Sequence, residues 1–432
     1  MSVEGVYLTT LASLVDSLKG RKDTFFAGDL DPEYEPTRAV YGHRRERVVF
    51  RLKGKEWECV SNILRDRGDV YELVGARSDS ELYEKLLRAY YSPSQLEVVD
   101  FADSFRRADM ALRDLPFIKF YREDGGPYLT SAVFIACWEG VCNSSFHRVM
   151  YIGDDRATLR IVPRHLHYMV KKAFEAGRDL PVAMVLGLDV YQEIAAAMSP
   201  PYGVFEVGIG AALSGVNRVA KTPVFNIPVP VTASLVVEGV ISREEDWEGP
   251  FVDILGLVDE RRRQNVFKPV AYYVNAQGRL MYHAIVPATS DHFYLMGLPR
   301  EPLIYESVKR VAPGVRAVRL VASGGSWLIG VIAIEQSTRG EALNAALAAL
   351  TAHPSMKVVV VVDEDIDVDD PLQVEWAIAT RSKPGEDVVV LRNAKASTLD
   401  PRSPEGVGDK LIVIATKPFN EPWSKYRRAG VP

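Results

Sequence analysis

Trp327-Leu-Ile-Gly-Val-Ile-Ala-Ile334, then Glu341-Ala-Leu-Asn-Ala-Ala-Leu-Ala-Ala-Leu350, then Val358-Val-Val-Val-Val362 run through the last third of the chain. The first and third are short β-branched runs of the kind that forms buried strands, and the second is a run of strong helix formers. A helix from Glu301 to Val311 and a strand from Val315 to Leu320 precede them. Strands and helices mixed in this way predict an α/β layer over residues 301–432, with the final sixty residues continuing it or reaching a neighbouring subunit. Upstream, residues 115–300 are rich in β-branched runs broken by Gly and Pro, such as Val229 to Val240 and Val266 to Val274, and read as a β-rich domain with inserted helices. One insertion, Pro163 to Glu175, has Pro at a plausible first helical position. Residues 1–114 combine helical patterns (Ser80 to Ala89, and Leu8, Leu11, Leu14, Val15, Leu18) with a strand at Val48 to Leu52, a small α+β region. The expected class is therefore α+β and α/β in three parts.

The 432 residues carry a formal charge of -5, with 47% apolar and 25% charged side chains, the proportions of an ordinary globular protein. This balance leaves no electrostatic footprint for nucleic acid. The basic run Arg261 to Arg263 sits beside Asp259 and Glu260 and reads as a solvated loop. Cys59, Cys137 and Cys142 form neither a CxxC pair nor a secreted disulfide framework, which points to a reducing compartment. No apolar run reaches the length needed to span a bilayer, and the first twenty residues lack the pattern of a signal peptide. A cytoplasmic protein without membrane or nucleic-acid partners is expected.

Walker A, G-x-G-x-x-G, G-x-S-x-G, H-E-x-x-H and paired CxxC motifs are all missing, so nucleotide hydrolysis, dinucleotide binding, serine hydrolysis and zinc proteolysis lose support. The acidic run from Asp363 to Asp370 lacks the glycine and terminal glutamate of an EF-hand and reads as a turn capping the next helix.

Three blocks carry a resemblance: Asn143-Ser-Ser-Phe-His-Arg148, Pro163-Arg-His165, and Asp179-Leu-Pro-Val-Ala-Met-Val-Leu-Gly-Leu-Asp189. Val237-Glu-Gly, Glu248-Gly-Pro-Phe-Val-Asp253, Tyr282-His-Ala, Lys357 through Asp363, and Ser397-Thr-Leu-Asp-Pro401 follow in order. Together they resemble the UbiD-type decarboxylases, which implies a split-barrel-like flavin-binding domain followed by an oligomerising C-terminal α/β domain. It also implies prenylated flavin mononucleotide, a divalent metal (Mn2+ or Mg2+) with a monovalent cation such as K+ nearby, and a separate flavin prenyltransferase as supplier.

By that resemblance Asn143, His165 and Glu206 match the metal ligands, a set suited to a hard or borderline ion. Thr130, Ser131, Phe146, Arg164, His165, Met198 and Lys357 fall where the family binds the flavin. Arg148, Glu248 and Asp253 match its catalytic cluster, with Asp253 standing where many members have Glu. Losing CO2 from an sp2 carbon leaves a carbanion that no side chain delocalises, so a cofactor must act as electron sink. Arg148 offers a planar fork for a carboxylate. Asp253 serves as the acid only if burial and Glu248 raise its pKa against Arg148.

The archaeal branch implies trans-anhydromevalonate 5-phosphate as substrate and isopentenyl phosphate as product, with Arg164 and Lys395, in the loop before Ser397, as candidates for the phosphate. Other readings are an aromatic-acid decarboxylase acting on a 4-hydroxybenzoate, a non-catalytic flavin- or metal-binding protein, and a metal-dependent hydrolase built on Asn143, His165 and Glu206.

Overall fold

The structure is a computed structural model of the chain that describes residues 10–429. Its residues gather into two compact units: the chain up to Val70 together with Arg88–Leu295, and Tyr71–Leu87 together with the chain from Met296 onward.

In the first unit a nine-stranded sheet runs in the order Tyr128–Leu129, Val149–Gly153, Arg156–Leu159, Arg262–Asn275, Leu235–Glu248, Leu180–Leu186, Val133–Trp138, Val141–Phe146, with Phe105–Ala108 also paired to Arg262–Asn275. Every pairing in it is antiparallel. Successive side chains of a strand point to opposite faces. Val182, Met184 and Leu186 therefore enter one apolar cluster with Phe134, Val237 and Phe267, while Ala183 and Val185 enter another with Val133, Ile135 and Val236. Burial on both faces explains why Leu180–Leu186 reads as a continuous apolar run rather than an alternating one.

A four-stranded sheet joins Thr24–Leu30, Arg47–Leu52 and Trp57–Ser61 to Leu280–His283, a strand more than two hundred residues later in the sequence. This pairing is why the expected N-terminal region does not stand apart: most of it packs with the β-rich part of the chain, while residues 71–87 go with the second unit. The second unit holds a five-stranded sheet in the order Val315–Leu320, Ile329–Ile334, Val358–Asp363, Val407–Ala415, Val388–Lys395. Its two inner pairings are parallel and its outer two antiparallel. Helix Glu341–Ala352 makes the crossover between two of the parallel strands, as the α/β reading anticipates.

Several expectations need correction. Cys137 and Cys142 form a disulfide. Glu139 and Gly140 both have positive φ, 51° and 84°, which closes a tight hairpin and sets Cys137 opposite Cys142; a search for CxxC cannot see this register. The insertion helix spans His165–Glu175 with Arg164 as its N-cap, so Pro163 lies outside it. Val229 to Val240 is split between Pro228–Pro230 and Leu235–Glu248. The run Arg261 to Arg263 leads into the strand Arg262–Asn275; Arg262 is ion-paired to Asp259, and Arg261 stacks 4.2 Å over Trp247. Lys395 ends the strand Val388–Lys395 rather than lying in a loop.

Leu11–Leu18 is helical as expected, while Leu8 lies outside the described residues. In the acidic run, Asp370 caps helix Pro371–Arg381 by accepting from Leu372 N, and Asp363 and Asp365 bind Arg381. No helix among the described residues is long and apolar enough to cross a membrane.

Candidate active site

Two carboxylate centres lie in the first unit. The hairpin Val133–Trp138 and Val141–Phe146 presents Asn143 and Ser144 to the start of helix Glu206–Ser214. Asn143 Nδ2 donates to Glu206 Oε1 at 2.7 Å, and Ser144 N donates to Glu206 Oε2 at 2.7 Å. Ser145 Oγ donates to Asn143 Oδ1 at 3.1 Å and lies 3.0 Å from His147 Nε2. Glu206 is 1% exposed, and burial pushes its pKa up to about 7 against these two neutral donors. Among the described residues its bonded partners are uncharged, and a buried carboxylate of this kind is the sort of group that a cation stabilises.

His165, the first residue of its helix, is half-buried and edge-on to Tyr202, with ring centroids 5.5 Å apart. It makes no hydrogen bond to Asn143 or Glu206. Of the three sequence-derived ligands the structure thus joins two directly. Among the described residues no group of three or more His, Cys, Asp and Glu side chains is gathered as for a metal; a set whose third member is an amide falls outside such a group.

The second centre is built around Arg148, in the bend between strands Val141–Phe146 and Val149–Gly153. Its Nε donates to Glu248 Oε1 at 2.8 Å and its Nη2 to Glu248 Oε2 at 2.9 Å. The same Nη2 donates to Asp259 Oδ2 at 2.7 Å, and the guanidinium lies 4.4 Å over the Phe251 ring. Burial works against its charge, but Glu248 and Asp259 outweigh burial and hold its pKa above the usual arginine value. Glu248 is fully buried, and Tyr128 OH donates to its Oε1 at 3.2 Å. Glu248 therefore claims the fork that the sequence reading reserved for a substrate carboxylate. Only Nη1 of Arg148 makes no hydrogen bond among the described residues.

Asp253 is not in direct contact with Arg148. Its Oδ1 accepts from Leu255 N at 2.8 Å and Leu257 N at 3.2 Å, and its Oδ2 has no hydrogen bond among the described residues. Burial raises its pKa, the two amides and Arg148 oppose the rise, and Asp259 supports it. The turn is braced by Asp124, which accepts from Val252 N at 3.0 Å, and by Gly125, where any side chain would collide with the Gly249 carbonyl. Asp259 is the cluster member that sequence reasoning missed. It was visible beside Arg261, but its neighbours read as solvated charge.

A shelf completes the site. Tyr282 OH accepts from Thr130 N at 2.7 Å and Ser131 N at 3.3 Å, while buried Ser131 Oγ has no hydrogen-bond partner of good geometry among the described residues. Such an orphaned hydroxyl suits a polar ligand. Next to Tyr282, fully buried His283 bridges Glu193 Oε2 at 2.6 Å and Asp291 Oδ2 at 2.9 Å. Burial opposes its charge, yet the two carboxylates raise its pKa to about 10. Tyr282-His-Ala was legible as a block, but Glu193 and Asp291 lie far from it in sequence or carry no pattern of their own.

Of the remaining candidates, Phe146 packs half-buried against the second apolar cluster and Met198 is buried at the end of helix Val190–Ala197. Arg164 Nη1 donates to Ser199 Oγ at 3.1 Å. Lys357 belongs to the second unit, where its Nζ lies 2.9 Å from Asp400 Oδ2.

Comparison with known proteins adds the following. The profile of the 3-octaprenyl-4-hydroxybenzoate carboxy-lyase Rift-related domain matches residues 95–290, and that of the C-terminal domain of the same carboxy-lyase matches residues 293–415. The anhydromevalonate phosphate decarboxylase of Aeropyrum pernix is 43% identical over 89% of this chain and 87% of its own length. That of Methanothermobacter thermautotrophicus is 37% identical over 90% of this chain and 93% of its own. The UbiD-class enzyme HmfF from Pelotomaculum thermopropionicum, solved in complex with FMN, superposes with a TM-score of 0.91 at 32% identity, covering 98% of this chain and 97% of that one.

Proposed function

We propose that this chain, which belongs to the UbiD family of carboxy-lyases, removes CO2 from trans-anhydromevalonate 5-phosphate to give isopentenyl phosphate. The observation that carries the reading is the buried Arg148–Glu248 pair with Asp253 five residues beyond Glu248, since binding a flavin phosphate requires none of the three. The name shared by the Aeropyrum and Methanothermobacter relatives supports the substrate. An aromatic acid is the alternative within the same chemistry.

Bound prenylated flavin supplies the electron sink for the carbanion that decarboxylation leaves. The chain's residues do the rest. Glu248 and Asp259 fix the Arg148 plane so that Nη1 meets the substrate carboxylate. Tyr128 holds the far side of Glu248. Asp253, raised in pKa by burial, carries the proton on Oδ2 and delivers it to the carbon that lost CO2. Asn143 and Glu206, with His165, hold a manganese or magnesium ion, with K+ nearby, and Thr130, Ser131, Phe146, Arg164, Met198 and Lys357 hold the flavin, which a separate prenyltransferase supplies. Apart from the contribution of Lys357, this work falls to residues 115–300, a split-barrel-like domain, while residues 301–432 mediate homo-oligomerisation in the cytoplasm. Protein produced together with a flavin prenyltransferase is expected to carry a flavin-like absorption band and one divalent metal per chain; colourless, metal-free protein with full activity overturns the reading.

A further inference from the structure

Arg160 follows the strand Arg156–Leu159, and its backbone N donates to Arg148 O at 3.1 Å. Adjacent strands lie about 4.8 Å apart, so the two arginines start from neighbouring positions. Val149 and Leu159, paired across these strands, both enter the same apolar cluster. Side chains alternate along a strand, so Arg148 and Arg160 leave from the opposite face. The Arg160 side chain is half-buried and makes no hydrogen bond or ion pair among the described residues. The acids around it are already taken. Glu248 serves Arg148 and Tyr128, and Asp259 serves Arg148 and Arg262. Burial, then the like charges of Arg262 and Arg148, lower the pKa of Arg160, while Asp259 and Glu248 only partly compensate. A half-buried guanidinium in this position lacks an anion.

We infer that Arg160 is a specificity residue that binds the phosphate of the substrate, at the end remote from the reacting carboxylate. The assignment rests on the proposed reaction. Its choice of substrate end follows from catalysis. A full ion pair with the carboxylate stabilises a charge that the reaction must dissipate, so a free arginine there would favour the ground state. The phosphate keeps its charge throughout, and binding it costs the chemical step nothing. A planar guanidinium with free N–H groups is the side chain best matched to phosphate oxygens.

The test compares holoenzyme carrying Arg160, Arg160→Gln or Arg160→Lys on trans-anhydromevalonate 5-phosphate and on the same acid without its phosphate, with the flavin spectrum recorded for each. For Arg160→Gln the ratio of kcat/KM between the phosphorylated and dephosphorylated acids is expected to fall about 10- to 100-fold, mainly through KM of the phosphorylated acid. Arg160→Lys recovers part of the ratio, because charge survives without the planar fork. An unchanged ratio overturns the assignment. So does loss of the flavin band in Arg160→Gln, which would place the residue on the cofactor. Wild-type holoenzyme that decarboxylates an aromatic acid and neither of these two acids refutes the reaction itself, a result distinct from an unchanged ratio.

Discussion

Glu206 and Glu248 are both buried carboxylates in one unit, and they are neutralised in opposite ways. Glu248 has its cation built in: Arg148 grips both oxygens. Among the described residues Glu206 is bonded by an amide and backbone N–H groups and by no cation, and burial pushes its pKa up to about 7. The difference separates what the chain completes by itself from what it leaves for a ligand. The arginine centre is preorganised by its own charges, whereas Glu206 has no cationic side chain bonded to it among the described residues.

The sharpest way to break this contrast is at Arg148. Arg148→Ala leaves buried Glu248 without its cation, while Asp259 keeps Arg262, so turnover should vanish and unfolding stability should drop by about 3–5 kcal/mol, as when one partner of a buried pair is removed. Denaturant unfolding and CO2 release check the two parts; a variant as stable as wild type contradicts a preorganised centre. Asp253→Asn should lose about 10²- to 10⁴-fold in turnover with the cofactor retained. If instead Asp253→Asn stays near wild type while Glu248→Gln is dead, the acid is Glu248.

At the other centre the effect should be milder and confined to metal. Ser145 holds Asn143 Oδ1 without occupying Glu206. Ser145→Ala should therefore weaken metal binding by about 10- to 100-fold, the usual cost of losing an outer partner of a ligand. Metal content after equilibrium dialysis reads this, and unchanged affinity detaches Asn143 from the metal.

A separate test is a pH slope from His283. Its folded pKa is about 10 and that of a free histidine about 6.5, so the folded state binds more protons between these values. Its stabilisation is complete below about pH 6.5 and is lost as pH rises through about 10, at up to about 1.4 kcal/mol per pH unit. His283→Gln should flatten the stability profile over that window. A wild-type profile without the slope argues that the Glu193–His283–Asp291 triad is neutral at its centre.

The fold was legible where local pattern carries it. Valine runs and the alanine-rich helix placed the C-terminal sheet within a few residues, and Asp370 caps its helix as read. The N-terminal boundary was not legible, because the partner of Trp57–Ser61 is Leu280–His283, and no local signal encodes a pairing at that separation. In the site, the structure brings Asn143 to Glu206 and Arg148 to Glu248; as candidates, these four came from the family resemblance. Asp259 and Arg160 did not. A charged residue is read as solvated unless burial is known, and burial is a property of the folded sheet. The same limit hid the Cys137–Cys142 bond, which depends on hairpin register.

One measurement tests the central claim most directly: CO2 release by the holoenzyme, made together with a flavin prenyltransferase, from trans-anhydromevalonate 5-phosphate and from 4-hydroxybenzoate-type acids in parallel. The account predicts CO2 and isopentenyl phosphate in equal amounts from the first, and none from the aromatic acids. Release from the aromatic acids alone would contradict the substrate, and release from neither acid by flavin-loaded, metal-loaded protein would contradict the decarboxylase itself.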